Sequence, residues 1–326
     1  MGVIVFDGKR FAAEREVLLR KRIAKLGFRP KLASIFFRED PASVLYTKLK
    51  GQTAKRIGID FHGQEVSLAA PVEDVLATIR NLSGEPKVHG ILIQKPAAEI
   101  ASPRSEEVLS GGGTIETVVL NLTHSLKAGL AAGSEEWWRR LTAEISPQKD
   151  VDCLTTASLD LVYRGRWKII PATVRAVLFI LEKAEIPLIN RQAVVVGRSE
   201  IVGKPLAHVL AQRGSTVTLC ASTGVVAKSR GDQLIEAHEP LELIEATREA
   251  DVLVSAAGQP GIITGGMVKK GAVVIDVGAP EGDVEFDSVA RKASFITPVP
   301  GGVGPVTVVS LLENLLQLLV ANGGFS

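Results

Sequence analysis

Tyr46 and Lys50 stand one helical turn apart in the run Tyr46-Thr-Lys48-Leu-Lys50, so on a helix they share a face and set an aromatic plate beside an amine. Gly90-Ile-Leu-Ile93-Gln94 puts an amide at the end of a short apolar run, the place where open α/β sheets hold ligands. Lys149-Asp150-Val-Asp152 adds carboxylates at alternate positions. Gly197-Arg198-Ser199-Glu-Ile-Val-Gly203-Lys-Pro205 follows a strand-like run and opens a helix, where small residues let backbone N–H groups approach a pyrophosphate. Its spacing is not G-x-G-x-x-G, and the next strand ends in Cys220-Ala221-Ser222 without the acid that would hold a ribose 2′-hydroxyl. Arg198 could instead face a 2′-phosphate, which favours NADP over NAD. Pro300-Gly301-Gly302-Val303-Gly304-Pro305 is a rigid turn poor in side chains, suited to a flat ligand. Taken alone, each segment also reads as an ordinary helix face, strand end or turn.

The elements that must position these residues alternate. Residues 11–26 read as an amphipathic helix ending at Gly27, and Lys31–Phe37 as a strand. A helix opens at Pro41 and stops at Gly58, followed by a strand at 66–69, a helix through Val75 and Ile79 and a strand at 90–93. Strands are expected at 192–196, 216–220, 251–255, 272–277 and 295–298, with helices at 173–181, through Leu206 and Leu210, and at 306–321. Strand and helix in alternation predict α/β domains with parallel sheets. Between Pro96 and Pro147 the pattern loosens, with a triple glycine at 111–113, the apolar stretch Thr117–Leu122 and a helical candidate at 135–145 bearing Trp137 and Trp138. Residues 103–145 are expected to form a partly helical excursion that docks an aromatic face and supplies no catalytic group.

A length of 326 residues, at roughly 150 per domain, points to two domains. Charge is nearly balanced, 38 basic against 36 acidic residues, which argues against a general nucleic-acid binder. Cys153 and Cys220 are too few for a disulfide framework, and His62, His89, His124, His208 and His238 lack metal-ligand spacing, so no metal is expected. Glu313, Asn314 and Gln317 interrupt the most apolar stretch, so no membrane span is expected. An N-terminus interrupted by Asp7, Glu14 and Glu16 reads as a mature cytoplasmic start.

In this order the segments resemble the bifunctional methylenetetrahydrofolate dehydrogenase/methenyltetrahydrofolate cyclohydrolase family. Its most specific pieces here are Asp40-Pro-Ala-Ser43 with Tyr46 and Lys50, Lys149-Asp-Val-Asp152, Val196 to Pro205, Val274-Ile-Asp-Val-Gly278 and Thr297 to Pro305. The resemblance implies an α/β folate domain at 1–160, a Rossmann-type NADP domain at 161–300, and a C-terminal segment, 301–326, that packs back on the first domain. It implies that a methylene folate gives a hydride to the nicotinamide and that water then attacks the methenyl product. Lys50 becomes the catalytic amine, Gln94 its hydrogen-bonding partner, Tyr46 a stacking plate and Asp152 a pterin ligand. Ile93, Lys95 and Pro300 to Gly304 join them at the folate; Gly197, Arg198, Ser199, Ser222 and Ala279 fall at cofactor contacts. Such an enzyme binds tetrahydrofolate derivatives and forms homodimers through its Rossmann domain.

Several positions depart from the family pattern. Gln94-Lys95-Pro96-Ala97 replaces Gln-Leu-Pro-Leu, Cys153 replaces a glycine, Ala279 replaces a bulkier isoleucine, and the loop after Gly278 is shorter. An enzyme that keeps one of the two activities, and a catalytically silent folate- or nucleotide-binding protein, are the alternative readings.

Overall fold

The computed structural model describes residues 2–96, 134–222, 224–230, 233–236 and 242–323. Within them the chain forms two compact units, Met1–Leu19 with Asp152–Gln317, and Arg20–Val151 with Leu318–Ser326. This division differs from boundaries at 160 and 300. Strand β1 (Ile4–Val5) pairs in parallel with β11 (Phe295–Ile296), which ties the start of the chain to the larger sheet. Residues of the closing helix through Gln317 group with that same unit, and only those from Leu318 with the other.

The smaller unit is built on a three-stranded parallel sheet of β2 (Lys31–Phe37), β3 (Asp60–Val66) and β4 (Gly90–Ile93), in the order β3-β2-β4. Helix α1 (Gly8–Ile23) precedes β2, and the Asp7 carboxylate opens it by accepting the Arg10 N–H at 2.9 Å. That cap moves the helix earlier than the expected 11–26. Helix α2 (Pro41–Ile57) has proline in its first turn and ends on Gly58 at φ 97°, a left-handed cap for which glycine carries no Cβ penalty. Helix α3 (Val72–Gly84) leads to β4. The strand expected at 66–69 instead ends at Val66. Among the described residues it is an edge strand paired only with β2, so polar residues alternate along it and hide it from an apolar reading. Residues 67–70 turn there, where Glu39 accepts the Ser67 hydroxyl and the Leu68 N–H.

Helix α4 (Glu135–Ala143) buries Trp137 and Trp138 to 3% and 5% exposure, with the Trp137 ring 5.3 Å from that of Phe37. The paired tryptophans are thus docked. The triple glycine, the stretch 117–122 and His124 lie outside the described residues, as does His238.

The larger unit holds α5 (Thr156–Tyr163), α6 (Ala172–Lys183), β5 (Gln192–Val196), α7 (Gly203–Gln212), β6 (Thr216–Ala221), β7 (Gly224–Arg230), β8 (Gln233–Glu236), α8 (Leu243–Arg248), β9 (Val252–Ser255), β10 (Val273–Asp276), α9 (Phe286–Ala290) and β11. Eight strands run in the order β1-β11-β10-β9-β5-β6-β7-β8. All pairs from β1 to β6 are parallel, and β7 and β8 extend the sheet antiparallel. Apolar runs such as Ala193 to Val196 and Val252 to Val254 are buried on both faces, as a helix-covered parallel sheet requires. Strand order reverses at β5, between β6 and β9, which makes its carboxyl end the topological switch point.

Helix α10 (Val303–Ala321) is long and apolar enough to cross a membrane, yet 67% of the relevant stretch is buried. Its polar residues are internal anchors. Glu313 pairs with Arg15, the Asn314 amide donates to the Ile170 carbonyl at 2.7 Å, and Arg175 donates to Gln317 at 2.6 Å. It packs as a core helix, although its polar interruptions do not keep it below the length and apolarity of a span, contrary to expectation.

Candidate active site

In the smaller unit, the chemistry begins with the start of α2. Asp40 is 2% exposed, and its carboxylate accepts the Ala42 N–H at 3.0 Å and the Ser43 hydroxyl at 2.9 Å. This N-cap fixes where the helix begins, and hence which way Tyr46 and Lys50 face. Further along, a Cβ at Gly51 would come within 2.7 Å of the Phe61 ring, so the helix lies close to β3 beside Lys50. Across the sheet, parallel pairing of β4 with β2 carries Gln94 to the strand end, where its N–H reaches the Ile35 carbonyl at 2.9 Å.

The two elements bring Lys50 and Gln94 together: Lys50 Nζ donates to Gln94 Oε1 at 3.2 Å. Gln94 Nε2 is buried and has no hydrogen-bond partner among the described residues. A buried amide donor left unpaired costs about 1–3 kcal/mol, so an acceptor on a ligand there would recover that loss. Tyr46 is half-buried on the same helix, and burial raises its phenol pKa, keeping it neutral. Ile93 is buried beneath. Lys95 turns to α4, pairing with Glu135 at 2.7 Å and lying over the Trp138 ring at 5.6 Å.

The Lys149-Asp150-Val-Asp152 run proves to be an added sheet edge. Ile91 donates its N–H to the Lys149 carbonyl at 2.7 Å, and Lys149 Nζ donates to the Ser83 and Glu85 carbonyls at 2.7 and 2.8 Å, closing the end of α3. Burial lowers the Lys149 pKa.

In the larger unit, one carboxylate oxygen of Asp152 accepts the Ala172 N–H at 2.7 Å, at the start of α6. Cys153 follows at φ 52°, a left-handed conformation that explains why glycine suits this position in the family pattern.

The turn after β5 has the shape a dinucleotide needs. Gly197 has φ 116°, and a Cβ there would lie 2.1 Å from the Ala256 carbonyl oxygen; a Cβ at Gly203 would lie 1.8 Å from the Gly197 oxygen. Only glycine permits these approaches. Ser199 takes up the first helical amides itself: its hydroxyl accepts from Val202 and Gly203 at 3.2 and 3.3 Å, and its carbonyl from Lys204 at 3.1 Å. The N–H groups of residues 198–201 are left without partners among the described residues, beside the exposed Arg198. The unpaired amides thus lie in the turn before the helix rather than at its end. Ser222 follows β6 next to this turn, since Gly197 N–H reaches the Cys220 carbonyl at 2.8 Å.

Two further carboxylates, assigned no role by the sequence reading, shape the same sheet end. Asp276 Oδ1 accepts the Gly278 and Asp283 N–H groups at 2.8 and 3.1 Å, and Oδ2 that of Val284 at 3.0 Å. Its pKa is raised by burial, against those hydrogen bonds. Asp283 in turn bonds the loop after β9. The available signal was the Val274 to Gly278 motif itself, whose aspartate has no evident partner in sequence. Ala279 is exposed on the loop that Asp276 folds back. The turn Pro300 to Gly304 packs on the start of α1, where a Cβ at Gly8 would lie 1.9 Å from the Gly302 oxygen, and Gly302 N–H closes onto the Pro298 carbonyl at 2.8 Å. No group of three or more possible metal ligands occurs among the described residues.

Comparison with known proteins gives a consistent answer. Residues 6–110 match the tetrahydrofolate dehydrogenase/cyclohydrolase catalytic domain, and residues 171–322 match the NAD(P)-binding domain of the same family. A bifunctional protein FolD from Methanoculleus marisnigri is 35% identical over 322 residues, covering 96% of this chain and 95% of the relative. Its counterpart from Nitrosospira multiformis is 36% identical over 324 residues, covering 96% and 95%. Among solved structures, the Trypanosoma brucei methylenetetrahydrofolate dehydrogenase-cyclohydrolase, complexed with NADP cofactor and an inhibitor, superposes with a TM-score of 0.78 at 29% identity, covering 99% of each chain. The bifunctional enzyme from Campylobacter jejuni gives 0.76 at 28% identity, covering 98% and 99%.

Proposed function

Since this chain belongs to the tetrahydrofolate dehydrogenase/cyclohydrolase family, we infer that it oxidises 5,10-methylenetetrahydrofolate to 5,10-methenyltetrahydrofolate with NADP and hydrolyses the product to 10-formyltetrahydrofolate. The observation that carries the reading is the Lys50–Gln94 hydrogen bond beside a buried amide donor with no protein partner among the described residues.

Bound NADP supplies the two-electron acceptor for the oxidation. The protein's part in that step is orientation. Gly197 gives the dinucleotide close backbone approach, the free amides of residues 198–201 and the Arg198 guanidinium receive its phosphates, and the strand end at Ala221 and Ser222 offers no carboxylate to repel a 2′-phosphate. Ser222 and Ala279 complete the cofactor contacts of this reading.

For hydrolysis, Lys50 Nζ moves the proton of the attacking water, and Gln94 Oε1 holds that nitrogen in place. Gln94 Nε2 donates to an acceptor on the folate, and Tyr46 stacks on it. Ile93 and Lys95 line it. Residues 20–151 therefore act as the folate-binding catalytic unit, and residues 152–317 as the NADP-binding unit.

A cytoplasmic homodimer completes the reading. Support comes from β1, an edge strand whose Ile4 and Val5 are 63% and 49% exposed beside a hollow lined by Phe6, Phe11 and Phe295. Sedimentation of the full chain tests the assembly. A spectrophotometric assay with methylenetetrahydrofolate and each dinucleotide tests the activity: reduction of NADP is expected, and no reduction of either dinucleotide refutes it.

A further inference from the structure

The loop that follows β9 is held by a buried anion of the protein's own. Asp283 is fully buried, and its carboxylate accepts four hydrogen bonds: from the Ser255 hydroxyl at 3.0 Å and from the N–H groups of Ala257, Gly258 and Gln259 at 2.7, 3.3 and 2.9 Å. Three successive N–H groups converging on one anion form a nest, the arrangement that elsewhere binds phosphate. No cation pairs with Asp283 among the described residues, so these donors alone offset the cost of burying its charge. A neutral amide could not replace it, since its NH₂ would face donors.

What this loop touches gives the arrangement its meaning. Ala256 N–H bonds the Val196 carbonyl at 2.7 Å, and the Ala256 oxygen stands where a side chain on Gly197 would go. The loop thus forms one wall at the switch point, and Asp283 sets its position. Asp276 fixes Asp283 from the other side by taking its N–H at 3.1 Å. With its amides committed to Asp283, the segment 257–259 has no backbone N–H to give a phosphate, and offers carbonyl oxygens to hydroxyl or carboxamide donors instead.

We propose that Asp283 is a positioning residue for the dinucleotide: occupying the nest of residues 257–259, it holds the loop at the width that admits the nucleoside half of the cofactor and turns only acceptors toward it. This rests on the NADP reading above. It assigns recognition of the 2′-phosphate to Arg198 and the turn, so weakening the Asp283 latch must affect NADP and NAD alike.

The test is Asp283→Asn in the full chain, with NADP and NAD dissociation constants measured by calorimetry alongside dinucleotide-free hydrolysis of methenyltetrahydrofolate. Losing charged hydrogen bonds predicts about tenfold or greater weakening for both dinucleotides, by a similar factor. The KM for NADP rises more than kcat falls, and hydrolysis, which uses Lys50 and Gln94, stays within about twofold. Ser255→Ala removes one of the four bonds and predicts the same pattern at about threefold, which keeps the test open if the first variant does not fold. Unchanged affinity in a folded Asp283→Asn protein, an effect on NADP alone, hydrolysis falling in step with binding, or, where only the serine variant folds, unchanged affinity in it, overturns the proposal. Failure of the wild-type chain to bind either dinucleotide refutes the NADP reading instead.

Discussion

Replacing Lys50 by methionine should abolish the hydrolytic step while leaving a folded protein that binds folate. Methionine keeps the unbranched stem on α2 and removes the amine, so the structural loss includes the 3.2 Å bond to Gln94. A hydrogen bond from a charged donor contributes about 1.5–3 kcal/mol at most, and less at a half-buried site where water can replace it. A positioned acid or base contributes about 10² to 10⁴-fold, or about 3–5 kcal/mol of barrier. The kinetic loss therefore exceeds the structural one. Lys50→Arg separates proton transfer from mere charge, because guanidinium keeps its proton throughout the usable pH range. Hydrolysis of methenyltetrahydrofolate without dinucleotide is the assay, with ligand-induced thermal shift to confirm folate binding. Both variants are expected to lose at least about a hundredfold. Near-wild-type hydrolysis by the methionine variant, or full rescue by arginine, would refute proton transfer at Lys50.

Arg198→Ala should lower the ratio of kcat/KM for NADP over NAD by about tenfold, the loss of one charged phosphate contact; an unchanged ratio places 2′-phosphate recognition elsewhere. Cys153→Gly relieves a left-handed strain of about 1–2 kcal/mol but empties a buried site of about 1 kcal/mol, so urea denaturation should find it within about 1 kcal/mol of wild type, whereas Cys153→Val should be clearly destabilised. Burial alone would raise the Glu39 carboxyl, but hydrogen bonds from Ser67, Leu68 and Arg38 bring it down from 4.5 to about 2. A depressed acid contributes stability above its unfolded pKa and loses it as pH falls through the folded one, so the contribution is full above pH 4.5 and fades toward pH 2. Urea midpoints for Glu39→Gln should accordingly fall less steeply across that window than those of wild type, and parallel curves would contradict the shift.

Legibility in the sequence followed how local each signal was. Lys31–Phe37, Gly90–Ile93 and Gln192–Val196 were readable because a strand buried on both faces is an apolar run whatever its neighbours are. Asp60–Val66 was not, because an edge position lets polar residues occupy a strand and leaves only the pairing with β2 to define it. Tyr46 and Lys50 shared a face by helical spacing alone. Their partner Gln94 could be placed at a strand end, yet its contact with Lys50 depends on β4 and α2 lying over the same strand, which no spacing encodes. Asp283 was silent for a stronger reason. Its partners belong to the loop after a different strand, and an aspartate beside glycine in a sequence looks like any turn.

The same distinction explains why the departures from the family pattern leave the chemical groups in place. Lys95 stands beside Gln94, but its charge is taken up by Glu135 and the face of Trp138, leaving the neighbouring Lys50–Gln94 bond intact. Cys153 replaces a glycine whose value is backbone freedom, and the backbone still adopts the left-handed turn that follows Asp152. Where glycine is demanded by another atom rather than by a dihedral angle alone, no departure occurs: Gly197 faces the Ala256 oxygen and Gly203 the Gly197 oxygen, at distances that admit no side chain. Substitution has been accepted where a neighbour can absorb the change or where strain is the only cost. It is absent where a backbone oxygen already fills the space, and those contacts shape the wall at the switch point after β5.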